Sequence, residues 1–296
     1  NLGNTLKELG RFDEAEASYN RAIALKPDYA DAHYNLGITL QKLKRSEEAV
    51  ESYRQAIALK PDFAEASVNF SLAIKNVRFS LANRELYPIL LQLLTNGNFA
   101  RPNDLASSIL SLLKHDPLIK NLLHEKNITK NLTEVTAAIV NLNKLDLLHH
   151  LMRLCPLPEL QFEGLFVAMR SFLLKNLDKI EASPELTYFL STLSIHCFVN
   201  EYVYAESDEE AQLIGELQTK IEETIAQTEQ PEVTEILCLA SYRPLHHYDW
   251  CQKLTVLDNF AEVKARLIEE PVAERVIAQN IPMLGKISDG ISLKVR

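Results

Sequence analysis

Apolar residues recur three and four positions apart along most of the chain, and β-branched residues rarely alternate with polar ones. That spacing places apolar side chains on one face of a helix and predicts an all-α protein. Helix boundaries follow from local chemistry. Asn96-Gly97 reads as a stop, and Asn103 or Asp104 as a cap for a helix running to about His115. Val135, Ile139, Leu142 and Leu145 mark a helix continuing toward Leu154 and ending near Pro156. Leu165, Met169, Phe172 and Leu173 form a strong apolar face. Ser183 precedes Pro184 and Glu185 as a capping serine before a proline at the first helical position. Ser207 to Glu210 spells a capping box, and Ser241 to Cys251, with Pro244, predicts a bend between helices.

The pattern repeats itself at the start. Offset by 34 residues, Asn1, Leu2, Gly3, Thr5, Leu6, Glu14, Ala15, Tyr19, Ala22 and Pro27 match Asn35, Leu36, Gly37, Thr39, Leu40, Glu48, Ala49, Tyr53, Ala56 and Pro61. The leucines supply the stripe of a first helix, the alanines small packing positions on a second, and the prolines its end. The glycines allow close approach. A third copy begins at Ala64, with Asn69 and Phe70 in register and Ser71 in place of glycine, and fades beyond about Asn76. These residues resemble the tetratricopeptide repeat (TPR), a helix–turn–helix unit of this period. The resemblance implies a short solenoid over residues 1–75; the helical punctuation beyond it predicts a larger irregular helical domain over 76–280, with 281–296 expected to be a linker toward a further C-terminal domain. Asn1 falls partway into its repeat, so further residues are expected before it.

In that fold the first helices line a groove. Asn1, Asn35 and Asn69 occupy equivalent positions, with Tyr34, Ile38, Gln41 and Lys42 flanking them. Packed helices lie about 8–10 Å apart and an extended chain advances about 3.3 Å per residue, so one asparagine would meet a bound peptide about every third residue. A carboxamide both donates and accepts, which suits a peptide backbone. The arrangement resembles the asparagine ladder of O-linked N-acetylglucosamine transferase. The plainer alternative is that each asparagine bonds a neighbouring helix. A clamp for a terminal carboxylate is disfavoured, because its cationic positions hold Tyr34, Val68 and Asn69.

Further along, NFARPNDLASSILSLLKHDPLIKNLL, HCFVNEYVYAESDEEAQLI and LASYRPLHHYDW are similar to the helical segment of bacterial proteins that join such repeats to a methyltransferase. That resemblance covers about residues 85–296. It implies an N-terminal, substrate-recruiting part of an S-adenosylmethionine-dependent enzyme whose catalytic domain follows.

Composition narrows the options. A net charge of −9 argues against nucleic-acid binding. No apolar run reaches the about 18 residues of a membrane span. Cys155, Cys197, Cys238 and Cys251 are widely spaced and read as reduced thiols of a cytoplasmic chain. None of the glycines forms GxG, and GxxxxGK[ST], GxSxG and HExxH are missing, so no cofactor and no catalytic motif is expected within the chain. His246-His247-Tyr248-Asp249-Trp250-Cys251 is the densest polar and aromatic cluster, read as a structural or interface loop rather than a metal site. His149-His150 should divide between seam and solvent, and His196 should be a core histidine. The expected function is protein–protein interaction through the groove. The alternative is catalysis or ligand binding in the helical block, which would need a pocket bringing His196, His246 or His247 beside carboxylates.

Overall fold

A computed structural model describes residues 2–96, 100–124 and 131–280, all of them in helices, turns and connecting segments with no strand among them. Asn1, Gly97 and the expected linker at 281–296 lie outside the described residues.

The N-terminal helices are α1 (Leu2–Glu8), α2 (Phe12–Leu25), α3 (Ala30–Lys42), α4 (Ser46–Leu59) and α5 (Ala64–Ile74). Each packs on the next, and α3 also touches α5. The recurring sequence has a specific cause. A Cβ at Gly37 would lie 2.6 Å from Tyr53 Cε1, and one at Gly3 would lie 2.6 Å from Tyr19 Cε1. The absent side chain therefore seats a tyrosine ring from the second helix, so glycine and tyrosine specify each other across the pair. Ala15, Ala49 and Ala56 are fully buried at the same seams. Leu36 and Leu40 join the core as expected, whereas Leu2 is exposed, with no described helix before α1 to cover it. The turn inside each repeat is left-handed at Gly10 (φ 74°) and at Lys44 (φ 62°). In the third copy α5 is followed by a non-helical segment up to position 83, so the next helix starts later than the 34-residue register would place it.

Beyond it come α6 (Tyr87–Asn96), α7 (Pro102–Leu113), α8 (Lys120–His124), α9 (Leu132–Leu142), α10 (Asp146–Leu154), α11 (Leu160–Lys175), α12 (Pro184–Val199), α13 (Asp208–Ala226), α14 (Val233–Ala240), α15 (Ala261–Lys264) and α16 (Glu270–Asn280). One apolar cluster runs from Leu6 to Ile268. α7 leans on α5, and Lys75 pairs with Asp104 at 2.9 Å, so the helical block closes the open end of the repeats.

Two boundaries differ from expectation. α7 begins at Pro102 behind Arg101, which makes no side-chain cap bond, and Asp104 is occupied by Lys75 instead of capping. The helix expected from Val135 toward Leu154 is broken between Leu142 and Asp146. There Asn143 leaves the helix and donates from Nδ2 to the Glu185 carbonyl at 2.8 Å. The Ser183 cap and the Ser207–Glu210 capping box form as expected. The bend after Ser241 is built from short turns at Leu245–His247, Cys251–Lys253 and Thr255–Leu257.

Candidate functional site

The first helices α1, α3 and α5 carry the residues expected to line the groove. Asn35 and Asn69 are both half-buried. Asn35 Nδ2 donates to the Asp31 carbonyl one turn earlier at 2.8 Å, and its Oδ1 accepts from Lys7 Nζ of α1. Asn69 Nδ2 donates to the Tyr34 hydroxyl at 3.0 Å, linking α5 to α3. The neighbour-bonding alternative is thus realised at one atom of each asparagine, Asn35 Oδ1 toward α1 and Asn69 Nδ2 toward α3. Asn69 Oδ1 has no partner among the described residues, and a second hydrogen on Asn35 Nδ2 is also unused.

The flanking positions divide. Tyr34 stands between Tyr53 and Phe63, with ring centroids 5.9 and 4.8 Å away. Burial and the nearby Glu65 raise its phenol above the ordinary tyrosine value, while the Asn69 bond pulls the other way. Gln41 Oε1 accepts from the Tyr53 hydroxyl at 2.7 Å, which ties the two helices of one repeat together. Ile38 is half-buried against the core and Lys42 is exposed in the last turn of α3. On α5, Val68 and Leu72 are exposed, 41% and 53% accessible, so no described helix covers these two side chains. Asn1 lies outside the described residues.

A cavity of about 440 Å³ opens between α1, α2, α3 and the start of α5. Tyr34 and Asn35 line it, together with Asn4, Tyr19, Tyr29, Asp31, Phe63 and Glu65. Sequence reasoning missed these last six. Tyr29 and Phe63, like Asp31 and Glu65, are equivalent positions 34 residues apart, and that recurrence was the available signal.

Two histidines of the helical block, His149 and His196, are core residues. His196 is fully buried; its ring bonds the Met152 carbonyl at 3.0 Å and the Tyr204 hydroxyl at 2.7 Å. Burial lowers its pKa to about 4. His149 is buried beside Thr192 at 2.9 Å, and its pKa also falls to about 4 through burial and the adjacent Arg153. His150 is half-buried and bonds the Asp146 carbonyl of its own helix. His246 packs edge-on against Phe198 and His247, and no carboxylate bonds either ring among the described residues. Trp250 stacks on Tyr248 at 4.6 Å against α13, where Tyr248 reaches Gln218. Among the described residues no group of three His, Cys, Asp or Glu side chains is placed to hold a metal ion. All four cysteines are buried free thiols. No helix among the described residues is long and apolar enough to cross a membrane.

Two family descriptions match the chain. "TPR repeat" covers residues 3–44 and "Tetratricopeptide repeat" covers residues 30–63. The N-terminal region is made of TPR repeats. Such repeats imply protein partners in general and suggest a role in protein–protein interaction. No curated protein matches the chain. The family matches stop at residue 63, and nothing found supports a methyltransferase connection for the helices beyond it.

Proposed function

We propose that the repeats hold an extended segment of a partner protein in the groove formed by α1, α3 and α5, with Asn35 and Asn69 bonding its backbone. The observation that supports this reading is the pair of half-buried carboxamides, each retaining an unused donor or acceptor, beside the exposed side chains of Lys42, Val68 and Leu72. Tyr34 and Gln41 act mainly by fixing this wall: one positions Asn69, the other holds α3 against α4. Ile38 offers an apolar contact and Lys42 a rim charge. No bond is made or broken. Capture rests on shape and on hydrogen bonds to peptide groups, which tolerates varied side chains.

The test uses the full chain and peptides selected on it from a displayed library of short unstructured sequences. The Asn35→Ala, Asn69→Ala double variant is expected to weaken capture about tenfold, since each lost backbone hydrogen bond contributes about 0.5–1.5 kcal/mol. Its melting curve should stay close to that of the parent, because both residues are only half-buried. Undiminished capture by the folded double variant contradicts the ladder.

A further inference from the structure

The cavity at the α1 end of the groove has a chemistry of its own. Its wall carries four aromatic rings, Tyr19, Tyr29, Tyr34 and Phe63, and its polar lining includes the carboxylates of Asp31 and Glu65. No lysine, arginine or histidine is among its described lining residues, although Lys7 Nζ of α1 reaches the lining Asn35 at its Oδ1. Both carboxylates are exposed in the first turns of α3 and α5, and neither makes an ion pair among the described residues. A first-turn acid suits a helix dipole, but that does not account for rings converging on the same space. The rings already attract cations: Lys26 Nζ lies 5.4 Å from the centroid of Tyr29 and Lys60 Nζ lies 4.7 Å from that of Phe63, although neither lysine lines the cavity.

Resting on the groove reading above, we propose that this cavity receives the side chain of a lysine or arginine carried by the bound segment. Tyr29, the exposed ring of the four, offers the cation an aromatic surface, and Asp31 and Glu65 supply charge-assisted acceptors. The Asn35 carboxamide lines the same cavity, so a backbone bonded there presents its side chain to the acidic pocket. Specificity then comes from one basic position, and the ladder supplies sequence-tolerant affinity. The electrostatics are opposite to those of a carboxylate clamp.

Peptides selected from the displayed library on the full chain are expected to share a lysine or arginine at one fixed position. Replacing it with glutamine should weaken binding about tenfold, as should the Asp31→Asn, Glu65→Gln double variant. Added salt should weaken binding to the parent more than to that variant. Tyr29→Leu, at a ring 42% exposed, is a second variant that removes a cavity wall with little risk to folding; it should weaken the basic peptides and spare their glutamine counterparts. Selected peptides without a basic preference, or unchanged affinity in the folded charge variant, overturn this proposal. If the Asn35→Ala, Asn69→Ala variant still loses capture in that case, the groove reading stands alone. If neither variant loses capture, both fall.

Discussion

Replacing Arg170 with alanine is expected to remove about 4 kcal/mol of stability or more, the largest effect of any single substitution considered. Arg170 sits on α11 and is 2% exposed. Its guanidinium donates to the Ala205 carbonyl at 2.8 Å and the Ser241 carbonyl at 3.2 Å. It lies 3.9 Å from the centroid of Tyr242 and 5.7 Å from that of Tyr204. One side chain thus pins α11 to the segment after α12 and to the end of α14. Truncation opens a cavity among rings and removes the donor to the carbonyl of the buried Ser241, two independent losses that add. Tyr242 in turn donates to Glu210 Oε1 at 2.7 Å, and Glu210 is the capping-box residue of α13. Arg170→Met refills much of the volume but restores neither hydrogen bond, so it should recover only part of the loss. Urea unfolding followed by circular dichroism measures both. A shift below about 1 kcal/mol for the alanine variant contradicts this assignment.

Acid is the second large perturbation. Folded His149 and His196 have pKa values of about 4, against about 6.5 in an unfolded chain. Above that unfolded value both states hold neutral imidazole, and these residues confer no pH dependence. As pH falls below it, the unfolded chain takes up protons that the fold refuses, so stability drops through the window from about 6.5 to about 4. By pH 5 the expected loss is about 2 kcal/mol per histidine. Carboxylates held low in the fold, such as Asp116 with Arg84 and Glu210, act further down the scale, when they become protonated. Unfolding measured at pH 7.5 and pH 5 should show the combined loss, and a His196→Gln variant should show about half of it. Equal stability at the two values would mean that the buried rings are protonated in the fold.

These two sites were legible in the sequence to different degrees. The pattern assigns one of His149 and His150 to the seam without distinguishing them, whereas the burial of His196 followed from its apolar neighbours at helical spacing. Arg170 did not: within FVAMRSFLL an arginine reads as an outward-facing residue, and its acceptors lie 35 and 71 residues away. The repeats were readable because the glycine–tyrosine fit imposes the same residues at the same spacing. The break between α9 and α10 was not, because Val135 to Leu154 keeps an apolar rhythm across it. At the end of α9 Asn143 bonds a carbonyl 42 residues away, a tertiary contact that the apolar rhythm does not reveal. The groove asparagines stood out by recurrence. The cavity beside them is assembled from α1, α2, α3 and the start of α5, so its aromatic and acidic character appears only once the helices are stacked.

The account stands on one claim, that the face shared by α1, α3 and α5 is where a second chain lies. Photo-crosslinking tests it most directly. A photoreactive residue is placed singly at Lys42 or Leu72 in the groove, or at Ala24 or Ala58, which are equivalent exposed positions on the second helices. With a library-selected peptide bound, the account predicts adducts from Lys42 and Leu72 and none above background from Ala24 and Ala58. Adducts confined to Ala24 and Ala58 would place the partner on the opposite face and contradict it.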